Sequence, residues 1–79
     1  MMTLDQIRAW CDDHVLLRSR EIYNDERGHK REFENGDTYE YRATQYDFNV
    51  QTVQISINGE IVNTQQYRWK NFGWQPITQ

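Results

Sequence analysis

Chemically distinctive residues are scarce in this chain, which holds one cysteine, one proline, four glycines and two histidines among 79 residues. No apolar run approaches the roughly 18 residues that a membrane-spanning helix needs. Cys11 alone permits no intramolecular disulfide and no thiolate metal cluster within one chain, and it fits a reducing, cytoplasmic setting. The opening residues Met1-Met2-Thr3-Leu4-Asp5 lack the basic stretch followed by an apolar one that marks a secretory leader. Neither His14 nor His29 stands at a metal-ligand spacing, so no metal and no cofactor is expected. Repeats, linkers, low-complexity tracts and glycosylation sequons are all missing, and residues 1–79 read as a single α+β domain.

Net charge is −3. That is too small for a whole-surface mimic of nucleic acid, and of the wrong sign for a general duplex binder, which needs a basic face to displace counterions. Residues 1–47 hold eleven acids and seven bases, net −4, whereas residues 48–79 set Glu60 against Arg68 and Lys70, net +1. A chain of this length hides only about 60% of the surface it exposes when unfolded. Little core is left for a deep catalytic cleft. Aromatic residues, 14% of the chain, supply large buried areas in compensation.

What is present is a hairpin signal. Asn58-Gly59 sits between the alternating runs Val53, Ile55, Ile57 and Glu60-Ile61-Val62, and Asn-Gly suits a two-residue type I′ turn because both residues tolerate positive φ. A straight register sets Ile57 opposite Glu60, Ile55 opposite Val62 and Val53 opposite Thr64. Upstream, Thr3 and Gln6 form a capping-box pattern. Helical periodicity gathers Leu4, Ile7, Trp10, Cys11, His14 and Val15 into one stripe of an amphipathic helix over residues 4–14. Strands are expected at 16–23, at 30–34 with Phe33 inward, and from Thr38 through Ala43 after a second Asn-Gly turn at Asn35-Gly36. Apolar parity then changes twice, which calls for bulges near Thr44-Gln45 and Gln51-Thr52. One continuing strand with a bulge, or a short turn near Asp47-Phe48-Asn49, would satisfy it. Residues 60–69 return the hairpin, Asn71-Phe72-Gly73 turns the chain, and Trp74 to Thr78 adds a last strand. That strand should be an edge, because Pro76 has no amide donor. The expected fold is α+β, one N-terminal amphipathic helix packed on an antiparallel sheet of four to five strands. Its core joins Leu4, Ile7, Trp10, Cys11, Ile55, Ile57 and Val62.

Three clusters carry potential chemistry. Cys11 and His14 share a helix face, and His14 could pair with Asp12 or Asp13, but no Gly-rich loop or Ser-Gly elbow offers an oxyanion site. No enzyme is expected. Glu32, Glu34, Asp37 and Glu40 crowd a turn as an acidic patch, partly neutralised by Lys30, Arg31 and Arg42, and lack the oxygen spacing of a calcium loop. Tyr67, Arg68, Trp69 and Lys70, followed by Phe72 and Trp74, interleave aromatics with cations. In the straight register Val50, Ile61, Tyr67 and Trp69 lie on the sheet face away from Ile55 and Ile57, as an exposed apolar surface. A bulge near Gln65-Gln66 would turn those rings into the core instead. The function these features imply is a non-enzymatic protein-binding or inhibitory module, of the kind a phage or mobile element uses to block a host complex. The alternative is a single-stranded nucleic-acid binder that stacks unpaired bases on its C-terminal aromatics.

Overall fold

The computed structural model describes residues 1–46 and 49–77. Helix α1 spans Leu4–Asp13, and the strands that follow are β1 (Ser19–Asp25), β2 (Gly28–Phe33), β3 (Thr38–Tyr46), β4 (Val50–Ile57), β5 (Glu60–Lys70) and β6 (Gly73–Pro76). The six strands form one antiparallel meander in the order β1 to β6. The α+β reading holds, but six strands replace the expected four to five. The count rises because residues 38–57 are two strands: β3 and β4 pair antiparallel, so the chain reverses between them. Thr44 is the extra residue of a bulge there, as the first parity change requires. The second change reflects the reversal, since β4 keeps one register from Val50 to Ile55. Asp47 and Phe48, where a short turn is one of the two arrangements the sequence allows, lie outside the described residues, as does Thr78.

The helix starts as its sequence dictates. Thr3 Oγ1 accepts from the Gln6 amide at 3.1 Å, and Gln6 Oε1 accepts from the Thr3 amide at 2.9 Å. The stripe is narrower than periodicity suggests. Ile7 is buried and Trp10 and Cys11 are half-buried, but Leu4 and Val15 are largely exposed. Residues 14–17 continue as turns, with Val15 N–H donating to Asp12 O and Leu17 N–H to His14 O. Leu16 therefore stands in solvent, and β1 begins at Ser19 instead of at residue 16.

Register explains which sheet face the helix covers. Tyr39, Tyr41 and Ala43 lie opposite Ile57, Ile55 and Val53, and Phe33, Arg31 and His29 continue that face on β2. Trp10 meets Phe33 edge-on at 5.7 Å and stacks near Tyr39 at 6.2 Å. Among the described residues the buried apolar ones are Ile7, Ala43, Val53, Ile55 and Ile57. Of the core expected from sequence, Leu4 is exposed and Val62 only half-buried, whereas Val53, the most deeply buried of the described residues, and Ala43 are in the core.

The Asn58-Gly59 turn forms as expected, with φ of 54° and 82°, and Ile57 faces Glu60. One step later the straight register fails. Ser56 pairs with Ile61 and Ile55 with Asn63, so Val62 is an extra residue on β5. A bulge of this kind moves every following side chain to the other face. Gly28 marks another tight point, since a Cβ there would sit 2.0 Å from the Tyr41 carbonyl oxygen. The sheet coils enough that the β1–β2 turn and Trp74 of β6 line one groove.

Replacing Ile55, 6% exposed, with Ala should lower the unfolding free energy by about 2–5 kcal/mol through lost transfer energy and a residual cavity. Ile61→Ala, on the other face, should stay within about 0.5 kcal/mol. Chemical denaturation of the two variants checks this, and equal losses would contradict the register.

Candidate functional site

The residues singled out by sequence separate into three places. Because Val62 is an extra residue, Tyr67 pairs with Gln51 and Arg68 with Val50, which puts Tyr67 and Trp69 on the same face as Val53 and Ile55. Val50, Ile61, Arg68 and Lys70 lie on the far face. The proposed quartet of Val50, Ile61, Tyr67 and Trp69 is thus divided two and two, and the cations are on the opposite side from the rings beside them. The bulge that does this is at Val62, not near Gln65-Gln66.

The acidic patch does not assemble either. Glu32 pairs with Arg20 at 2.8 Å, and Glu40 accepts from the Tyr23 hydroxyl at 2.5 Å. Arg42 lies over the Tyr23 ring at 5.1 Å and reaches Asp25 at 3.5 Å. Asp37 points the other way, to the helix, and Glu34 is exposed in the turn. On the far face of β1 to β3, Arg20 and Glu32 pair with each other, and Tyr23, Glu40, Arg42 and Asp25 form a second mutually engaged group.

Asp37 belongs to a structural pair whose partner is His14, 23 residues away. His14 Nδ1 lies 2.7 Å from the Trp10 carbonyl oxygen, and Nε2 lies 2.7 Å from Asp37 Oδ2. A carbonyl and an ionised carboxylate accept and never donate, so the geometry favours a ring that carries hydrogen on both nitrogens, the imidazolium. The Asp37 hydrogen bond raises the His14 pKa above its usual 6.5, against the opposing effect of burial, with Trp10 O and Asp13 helping. The helix C-terminus favours the same charge. Asp37 is lowered below 3.8 by His14 first and by Asn58 next. Its carboxylate also takes the side-chain amides of Asn35 at 3.0 Å and Asn58 at 3.2 Å, so both Asn-Gly turns converge on it. Sequence offered only Asp12 and Asp13 as partners, because a contact between a helix end and a distant turn leaves no local pattern. Burial, then Asp12, pushes the Cys11 thiol up, away from the thiolate form. Among the described residues no group of three or more His, Cys, Asp or Glu side chains could hold a metal ion, and no helix is long and apolar enough to cross a membrane.

What is left open is the end of the helix-side face that the helix does not reach. The turn Asn71-Phe72, with φ of 53° and 62°, sets Trp69 directly opposite Trp74. Their rings meet edge to face at 5.4 Å. Trp69 is 47% exposed and Phe72 is 96% exposed. Next to them lies an open groove of about 420 Å³ lined by Asn24 to His29, Tyr41, Ala43, Gln51 and Trp74. His29 stacks on Tyr41 at 5.9 Å and 16°, and the Tyr41 hydroxyl is pushed up by burial and then by Tyr67. Trp74 belongs to the C-terminal aromatic run singled out by sequence, but its meeting with the first hairpin in one groove was missed. Only the coiling of the sheet brings them together. Compared with known protein families, curated proteins and solved structures, the chain finds no match.

The His14–Asp37 pair predicts a definite pH profile. His14 has its folded pKa above the unfolded value and Asp37 has its folded pKa below. Their contribution is therefore full between 3.8 and 6.5, is lost as pH rises through the folded His14 pKa, and is lost again as pH falls through the folded Asp37 pKa. Urea midpoints should fall on going from about pH 6 to about pH 9, and His14→Gln should flatten that fall. An unchanged alkaline slope in the variant would remove the pair from the account.

Proposed function

We propose that this protein is a non-enzymatic binding module, with an inhibitory role as its simplest use, and that it engages a protein partner through Trp69, Phe72 and Trp74. The observation that carries the reading is Phe72. A bulky residue held at φ 62° sits in a left-handed conformation that costs roughly 1–2 kcal/mol relative to a right-handed one, where glycine would be unstrained. Its ring is 96% exposed, so folding gains nothing from it. Local strain of this kind collects at functional sites, and aromatic anchors dominate binding hot spots. Trp69, 47% exposed, is a second exposed aromatic at this end of the sheet, and the lone free thiol of Cys11 suits a cytoplasmic setting.

A protein partner is favoured over single-stranded nucleic acid by where the charges fall. Bases stacked on Trp69 would need cations beside them for the phosphates, yet Arg68 and Lys70 project from the other face, and Arg42 is engaged with Tyr23 and Asp25. The turn residues Asp25, Glu26 and Arg27 line the nearby groove, which carries no excess of positive charge. The acidic hairpin is the weaker candidate surface, because Glu32, Asp37 and Glu40 already have partners.

Trp69→Ala and Phe72→Ala should each weaken partner capture by about 2 kcal/mol or more while leaving the unfolding midpoint nearly unchanged. Phe72→Gly should separate strain from function, with the midpoint holding or rising and binding still falling. Affinity capture from the native host, with denaturation of the same variants, measures both. Binding that survives all three substitutions overturns the reading, and salt-sensitive affinity for unpaired oligonucleotides that these variants lose would replace it with the nucleic-acid alternative.

A further inference from the structure

We propose that Asn58 is a site of covalent self-modification, deamidated by the backbone nitrogen of Gly59, and that this slow reaction works as a timer that uncouples the helix from the β4–β5 turn. The chemistry needs only the chain and water. The Gly59 nitrogen attacks Asn58 Cγ and a new C–N bond closes a succinimide ring, while Nδ2 leaves as ammonia with the proton that the Gly59 amide gives up. Water then opens the ring at one of its two carbonyls. Opening at Cγ leaves aspartate, and opening at the Asn58 main-chain carbonyl leaves isoaspartate, whose backbone runs through Cγ. One amide and one water have become one carboxylic acid and one ammonia, with no oxidation. Glycine hinders the attack least, because it has no Cβ and moves freely between backbone conformations.

The geometry separates this site from the second Asn-Gly sequence. Asn35 and Asn58 are both exposed, and both side-chain amides donate to Asp37, at 3.0 Å and 3.2 Å. The attacking nitrogens differ. Gly36 N–H donates to the Phe33 carbonyl at 2.9 Å and must give up that bond to react. Gly59 stands at the tip of its hairpin, where among the described residues no backbone carbonyl accepts its N–H. What holds Asn58 back is its own side chain, whose Oδ1 accepts the Thr38 amide at 2.8 Å while Nδ2 lies on Asp37. Attack waits until these exposed bonds open, which makes the reaction slow.

The product cannot keep the contact that Asn58 makes with Asp37. The donor Nδ2 is replaced by a carboxylate oxygen, so a hydrogen bond becomes a second negative charge beside the first. Isoaspartate also lengthens the main chain inside a two-residue turn, whose length fixes the hairpin register. Asp37 is the group through which His14 holds the helix exit, so the change at Asn58 reaches the helix.

The test incubates the whole chain in mildly alkaline buffer, folded and in urea, and follows both sites by peptide mapping with mass spectrometry. In urea the two Asn-Gly sequences should react alike. In the folded chain the peptide bearing Asn58 should gain aspartate and isoaspartate severalfold faster than the peptide bearing Asn35. Asn58→Gly, which suits the same turn, should abolish the faster reaction. The modified chain, separated by its extra negative charge, should show shifted His14 ring resonances and a lower urea midpoint than the unreacted chain. Asn58→Asp, never incubated, should reproduce both changes, which ties them to the new carboxylate and not to other damage. Equal rates at the two sites in the folded chain, Asn35 reacting first, or a folded chain inert at Asn58 would overturn the modification site. A modified chain with the His14 resonances and midpoint of the unreacted one would overturn the timer.

Discussion

One extra residue in β5 organises both the packing of this protein and its open surface. Val62 has no partner residue on β4, so its carbonyl oxygen is free to accept the Met2 amide at 2.8 Å. Beside it Asn63, a buried polar side chain, donates to the Met2 carbonyl at 2.8 Å. The chain entering the helix is therefore anchored on the bulge. From Asn63 onward the same bulge turns β5 over, and Tyr67 and Trp69 come to the side that holds Val53 and Ile55.

The helix that depends on this anchor is ten residues long, too short to persist in water by itself. Its apolar contribution is small, with Ile7 its one buried hydrophobic side chain. Among the described residues the two buried polar ones, His14 and Asn63, stand at its two ends. Asn63 ties the entry to β5, and His14 ties the exit to Asp37 and, through Asn35 and Asn58, to both Asn-Gly turns. Leaving a buried polar group unpaired costs more than its bond gains, so these contacts fix where the helix lies more than they add to stability. Fixed there, the helix covers Phe33 and Tyr39 and leaves Trp69 exposed. Position and exposure are two results of one arrangement.

Much of this was readable from sequence because it is local. The capping box of Thr3 and Gln6, the Asn58-Gly59 turn, the Thr44 bulge and the edge position of Pro76 each rest on residues a few positions apart, where side-chain chemistry and backbone conformation are directly linked. The Val62 bulge carries no such residue signature. Its one trace is a parity change, from Val62 on an even position to Tyr67 and Trp69 on odd ones, and the reasoning that located the Thr44 bulge would have found it. The groove could not be read at all. Asn24 to His29 and Trp74 meet only because six strands coil, and coiling is a property of the assembled sheet. The strand count failed for a related reason: a reversal and a bulge change apolar parity alike.

Interstrand nuclear Overhauser contacts in solution test the bulge most directly. The account places Gln51 opposite Tyr67 and Ile55 opposite Asn63, with Met2 against Val62. Backbone contacts for those pairs, together with a Trp69 ring close to Trp74, are the expected result. Contacts that instead pair Gln51 with Gln66 and Ile55 with Val62 would mean a straight register. Tyr67 and Trp69 would then belong to the far face beside Ile61, and both the anchoring of the helix and the aromatic site as described would be wrong.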